Sequence, residues 1–238
     1  MPLSSNAVSV ALFEPMSAKT GLAGWRKAGK GIEVHLQLQP YESVLVQTYS
    51  AKKGGPAFQY TKSSGSAIEL NKQWTIEFLT GGPVLPAKMA IDKLGSWTEL
   101  DGEDVKNFSG TAKYTTNFEK PNSNAKAYLL SLGDVHETAE VFLNGKKLAT
   151  LIGPNFQTMI HSSDLKQNNE LEIVVANLMA NRISYMDRNN LPWKIFYNTN
   201  MPARIRENVK NGLFNASSWK PLPSGLLGPV TITPVSYE

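Results

Sequence analysis

The stretch TAEVFLNGKKLATLIG, residues 138–153, constrains the fold more tightly than any other part of the chain. Apolar and polar residues alternate up to Leu143, Asn144-Gly145 interrupts them, and a second run follows at once. Asn-Gly accepts the positive φ angles of a type I′ turn, so the stretch predicts a two-residue β-hairpin. Ala139, Val141 and Leu143 then share one face, and that face needs a core.

The same grammar recurs along the chain. VSVALF alternates, GIEVHLQLQP sets Ile32, Val34, Leu36 and Leu38 on one side, and ESVLVQTY follows a Pro-Tyr turn. Further on, Trp74, Ile76 and Phe78 share a face before Gly81-Gly82-Pro83 ends their run. TAKYTTNFEKP alternates Ala112, Tyr114, Thr116 and Phe118, and ELEIVVAN alternates Leu171, Ile173 and Val175. AYLLSLGDV, NFQTMI and SGLLGPVTITPV supply more strands. Sustained helical periodicity is scarce, and no repeat of 20–50 residues marks a propeller or solenoid. Short strands separated by turn chemistry predict an all-β jelly roll or β-sandwich. Residues 1–52 read as a small β unit, 53–66 as a Gly/Ser/Lys/Pro-rich linker or loop, and 67–238 as the sandwich.

Composition removes several functions. With 238 residues, 41% of them apolar, the chain can bury a core. The net charge of +4 comes from dispersed lysines and arginines, which gives no phosphate-tracking stripe, so no nucleic-acid partner is expected. There is no cysteine, hence no disulfide, cysteine nucleophile or cysteine-ligated zinc. No window offers the roughly 20 apolar residues that span a bilayer, so no membrane partner is expected. The first residues, MPLSSNAVSVALFEPMSAKTG, lack the basic start and long apolar run of a secretory signal.

Candidate chemistry is sparse. Glycoside hydrolysis needs two carboxylates flanking one bond. Asp101, Glu103 and Asp104 cluster in TELDGEDV, where turn residues are expected anyway. They are the candidate calcium ligands, because hard cations take several loop oxygens, although the EF-hand spacing is absent. Asp134, Glu137 and Glu140 form a looser group, and His35, His136 and His161 are isolated. Neither the Gly-x-Ser-x-Gly elbow nor a phosphate-binding glycine loop is present. No catalytic residue is assigned.

The tract NLMANRISYMDRNNLPWKIFYN, residues 177–198, stands apart. It follows a strand, stops alternating and contains no glycine. Asn181, Arg182, Tyr185, Asp187, Arg188, Trp193 and Tyr197 combine aromatic faces with planar polar groups. Sugars are held by such sets, with C–H groups on a ring and hydroxyls on amide, carboxylate or guanidinium groups. Internal or interdomain packing is the leading account of the tract, and Arg182 is within sequence reach of Asp187. Trp25 and Trp219 pose the same choice between sugar platform and packing.

Several motifs, in order, resemble a known family: SWTEL, FSGTAKYTTNFEKP, then YLLSLGDVHETAEVFLNGKKLATLIG, ELEIVVAN and PSGLLGPVTITPV. The order is a tryptophan, Gly-x-Ala-x-Tyr, Leu-Gly-x-Val, Val-x-Leu-Asn-Gly and a closing Ile-x-Val-x-Asn. It resembles the galactose-binding-like β-sandwich attached to large bacterial glycoside hydrolases, closest to the C-terminal region of α-L-rhamnosidase-like family 106 enzymes. VALFEPMSAKTG and LQLQPYESVLVQTY resemble the small β domain that precedes it. The resemblance implies a part without the catalytic barrel, which needs about 250 residues by itself. It implies carbohydrate as partner, rhamnose-containing polysaccharide in particular, together with the catalytic domain of the parent. It also implies a periplasmic or extracellular parent, with this part inactive when isolated.

Overall fold

The computed structural model describes residues 1–70, 73–194, 206–210 and 212–238. The chain is all-β apart from short helical segments, and it divides into two units. Ser66–Pro234 forms the larger; Met1–Gly65 with Val235–Glu238 forms the smaller.

The larger unit is built on a six-stranded antiparallel sheet. Its order is Met89–Ile91, Trp74–Gly82, Ser109–Glu119, Asn168–Ala176, Thr138–Leu143 and Lys146–Ile152. A second sheet runs Gln157–His161, Ala127–Ser131 and Thr231–Tyr237, with Ile68–Glu69 beside the early residues of the last strand. The alternating residues all lie where period two requires. Ala112, Tyr114, Thr116 and Phe118 are buried, as are Ala139, Val141 and Leu143, and Leu171, Ile173 and Val175. Each fully buried large apolar side chain contributes roughly 1.5–3 kcal/mol by leaving water. This repeated burial, summed over both sheets, is the main force holding the unit.

The predicted hairpin forms. Asn144 and Gly145 take φ values of 52° and 80°, and Leu143 pairs with Lys146. Asn144 also ties the turn to the neighbouring strand: its Nδ2 donates to Asn169 Oδ1 at 3.1 Å and its Oδ1 accepts the Glu170 N–H at 3.1 Å. At the centre of the core, Phe78, Trp97 and Phe108 meet edge to face, with ring centroids 4.9–5.6 Å apart. Trp97 Nε1 and the Leu226 N–H both donate to the Tyr114 hydroxyl, so the buried polar atoms are satisfied. Burial pushes the Tyr114 phenol up, further than those two hydrogen bonds pull it down.

The smaller unit contains two three-stranded antiparallel sheets. One is Pro2–Leu3, Gly31–Val34 and Trp25–Ala28; the other is Lys19–Leu22, Ser9–Glu14 and Leu45–Tyr49. Val10, Leu12, Ile32, Val34, Phe58 and Tyr60 fill its core. The strand containing Ile32 stops at Val34, and Leu38 is exposed. Within segment 53–66, read from sequence as a linker or loop, Phe58 and Tyr60 are buried and Thr61–Ser63 is a strand paired with Val235–Tyr237. Two aromatic rings two residues apart outweigh the Gly, Ser and Lys around them, because ring burial is the larger free-energy effect.

Candidate functional site

The strand Asn168–Ala176 ends at Asn177, whose side chain closes three backbone and hydroxyl contacts. Its Oδ1 accepts the Gly110 N–H at 2.9 Å, and its Nδ2 donates to Phe108 O at 2.9 Å and Ser224 Oγ at 3.1 Å. The chain then turns into a helix, Ala180–Arg188. No apolar periodicity announces this helix, because its buried positions are polar: Asn181, Ser184 and Asp187, at spacing three. It packs through hydrogen bonds instead of an oily stripe.

Asn181 holds the segment that leads into the final strands. Its Nδ2 donates to Leu222 O at 2.8 Å and Ser224 Oγ at 3.2 Å, while its Oδ1 accepts the Leu222 N–H at 2.8 Å. Asp187 is the hub of the other end. It accepts Trp193 Nε1–H at 2.7 Å and the Ala216 N–H at 2.7 Å, and Lys194 Nζ lies 2.8 Å away. Burial by itself would raise this carboxyl; the Ala216 N–H, Lys194 and Trp193 outweigh it and hold it below its ordinary value. Asp187 therefore pairs with Lys194, and the sequence-based pairing with Arg182 is corrected. The Arg182 guanidinium lies instead over Gly82, where a Cβ would stand 2.8 Å from its Cζ, and its buried Nε has no hydrogen-bond partner.

Trp193 is half-buried, edge-on to Phe214 with centroids 6.0 Å apart and Lys194 Nζ 5.3 Å above its ring. Those contacts make it a packing residue. Tyr185 is half-buried, and its carbonyl accepts the Asn189 N–H and side chain at the helix end. Tyr197 lies outside the described residues.

A polar cleft of about 170 Å³ opens beside this helix. Asn181, Ser184 and Arg188 line it from the helix, and Glu103, Lys106 and Asn107 from the short helical turn Glu103–Lys106 and its end. Trp219, Thr98 and Pro221 complete the wall. Arg188 Nη2 donates to Asn107 Oδ1 at 2.9 Å, bridging the two elements. Trp219 Nε1 donates to Asn208 Oδ1 at 2.7 Å and its ring meets Phe214 edge-on at 5.8 Å, so its orientation is set from behind. The volume lies below the ~300–1,000 Å³ typical of drug-sized ligands. One polar ring, or one group projecting from a longer ligand, fits it.

Of the residues expected to form a site, Asn181 and Arg188 come together in the cleft, while Asp187 and Trp193 knit the structure behind it. Lys106, Asn107 and Ser184 were not legible as site residues, since their side chains meet only through the tertiary fold. The loop expected to hold calcium lies on the surface. Asp101, Glu103 and Asp104 are all exposed, and Glu103 turns to Asn107 Nδ2 at 3.1 Å and Lys106 Nζ at 3.9 Å. Among the described residues no three His, Cys, Asp or Glu side chains cluster closely enough to hold a metal ion. Among the described residues Glu103 is also the single carboxylate lining the cleft, whereas glycoside hydrolysis uses two.

No protein-family model matches the chain. A protein of Formosa agariphila named "Putative beta-glucuronidase" is 32% identical over 212 residues, covering 82% of this chain and 18% of that protein. The solved rhamnosidase of Novosphingobium sp. PP1Y superposes with a TM-score of 0.73 at 24% identity, over 99% of this chain and 21% of that one. The β-glucuronidase of Ruminococcus gnavus matches 47% of the chain at 19% identity with a TM-score of 0.38, too distant in shape to bear on the fold. The chain thus spans about a fifth of the length of these proteins. It is an all-β chain similar in sequence to part of a protein named as a putative β-glucuronidase, and the rhamnosidase likeness supports that fold along nearly its whole length.

Proposed function

We propose that this chain is a non-catalytic, carbohydrate-binding part of an α-L-rhamnosidase-like glycoside hydrolase that acts on polysaccharide outside the cytoplasm. The observation that carries the reading is the cleft, which a tryptophan lines together with amide, hydroxyl and guanidinium residues. An aromatic face takes the C–H side of a pyranose, and the planar polar groups take neighbouring hydroxyls. A single lining carboxylate supports binding over hydrolysis. Relatedness to a much longer glycoside hydrolase-type protein supplies a reason for such a part to exist.

Calorimetric titration of the chain with rhamnose-containing oligosaccharides tests this. Binding is expected, and Trp219→Ala should abolish it while the circular dichroism spectrum stays unchanged. Trp193→Ala should lower the unfolding temperature and leave affinity intact. The reading fails if no glycan binds at millimolar concentration.

A second reading, a structural domain packed against the catalytic part of a longer enzyme, rests on a different observation. Leu178 and Met179 are each 51% exposed at the start of the helix, and Leu222, whose backbone Asn181 binds, is 45% exposed. Such a grouping on a surface suits a protein contact. A chain that binds no glycan but is stabilised by the rest of its polypeptide would favour this alternative.

A further inference from the structure

We propose that the cleft selects a sugar bearing an anionic group, a carboxylate or a sulfate ester, with Arg188 as the group that recognises it. The inference rests on the reading of the cleft as a sugar site. Two cations, Arg188 and Lys106, line the cleft against one carboxylate, Glu103. Lys106 and Glu103 face each other only loosely, at 3.9 Å and largely in solvent. Arg188 has no carboxylate within ion-pair distance among the described residues. The carboxylate next to it in sequence, Asp187, points elsewhere and is occupied by Lys194.

Arg188 is nevertheless held in place, by a neutral group. Asn107 is buried, and its Nδ2 donates to the Glu103 carbonyl at 2.8 Å and the Glu103 carboxylate at 3.1 Å. Its Oδ1 is thereby turned outward to accept from Arg188 Nη2 at 2.9 Å. An amide positions the guanidinium without neutralising it. The remaining N–H donors form a planar fork that matches two oxygens of a carboxylate or sulfate, which a neutral hydroxyl cannot offer. Trp219, fixed through Asn208 and Phe214, lines the same cleft as this fork. Aromatic stacking and an orienting cation together fit an acidic pyranose better than a neutral one.

The test is isothermal titration of the 238-residue chain with three ligands of one backbone: a glucuronate-terminated disaccharide, its O-sulfated counterpart and its carboxyl-reduced neutral form. At low salt an acidic ligand should bind about tenfold tighter than the neutral one, a difference worth ~1.4 kcal/mol. Raising the salt should narrow that gap. Arg188→Gln should bring the affinity for the acidic ligands down to that for the neutral one; Arg188→Lys should restore only part of the preference. Whichever acidic ligand binds more tightly identifies the anionic group. Equal affinity for acidic and neutral ligands overturns the inference and leaves carbohydrate binding standing. So does a preference that survives in Arg188→Gln. Failure of all three ligands to bind overturns the inference, and the carbohydrate reading falls with it only if rhamnose-containing oligosaccharides fail to bind as well.

Discussion

Asp187 shows how a residue can look chemical in sequence and prove architectural in space. Acid, arginine, tryptophan and lysine fall close together, which suits a sugar site or an acid–base group. In the fold the buried carboxylate accepts from the Trp193 indole and the Ala216 N–H and pairs with Lys194. Asp187→Asn places an amide NH₂ where one of these donors must be accepted and removes the counter-charge of Lys194. We expect a loss of about 1–3 kcal/mol at neutral pH, measured by urea unfolding. Because the folded-state value is depressed, the contribution is present above the unfolded carboxyl value of about 3.9. It fades as pH falls through the lower folded value. The gap between wild type and Asp187→Asn should therefore close in acid. If the gap stays constant down to pH 2, the carboxylate is not the stabilising group.

At the scale of elements, strand faces were legible and the helix was not. Tyr114 and Ile173, or Val141 and Ile173, pair across strands because period-two alternation fixes which side each faces. The helix Ala180–Arg188 buries asparagine, serine and aspartate, so a search for apolar residues at i, i+3 and i+4 passes over it. Its supports lie far away in sequence, at Asn107, Ala216 and Leu222. The strand Trp74–Gly82 shows a subtler constraint. Gly81 and Gly110 sit opposite each other with φ values of 145° and 157°. A Cβ on Gly81 would stand 2.2 Å from Ser109 O, and one on Gly110 2.0 Å from Thr80 O. Gly81→Ala and Gly110→Ala should each cost more than about 2 kcal/mol, since backbone cannot step aside. Gly82→Ala meets only the mobile end of Arg182 and should cost about 1 kcal/mol or less. Thermal unfolding of the three variants orders them; equal losses would refute the backbone argument.

Taken as a whole, the molecule closes its smaller unit with its own C-terminus. Val235 and Tyr237 pair with Ser63 and Thr61, and the Glu238 N–H donates to Tyr60 O at 3.0 Å. Deleting Val235–Glu238 should speed hydrogen exchange at Tyr60–Ser63 and spare Ser109–Glu119 in the larger sheet, as read by mass spectrometry. Unchanged exchange at Tyr60–Ser63 would show that the pairing adds nothing to that unit.

The all-β class, the Asn144-Gly145 hairpin and the inward residues of the long strands followed from sequence, because turn angles and period-two burial act between near neighbours. The place of Phe58 and Tyr60, the polar-faced helix and the cleft did not. Each depends on which distant groups satisfy a ring or a hydrogen bond. Arg188 carries the difference: its type was visible at once, but only the fold set it on the neutral Asn107, 81 residues away, with no carboxylate in ion-pair distance among the described residues.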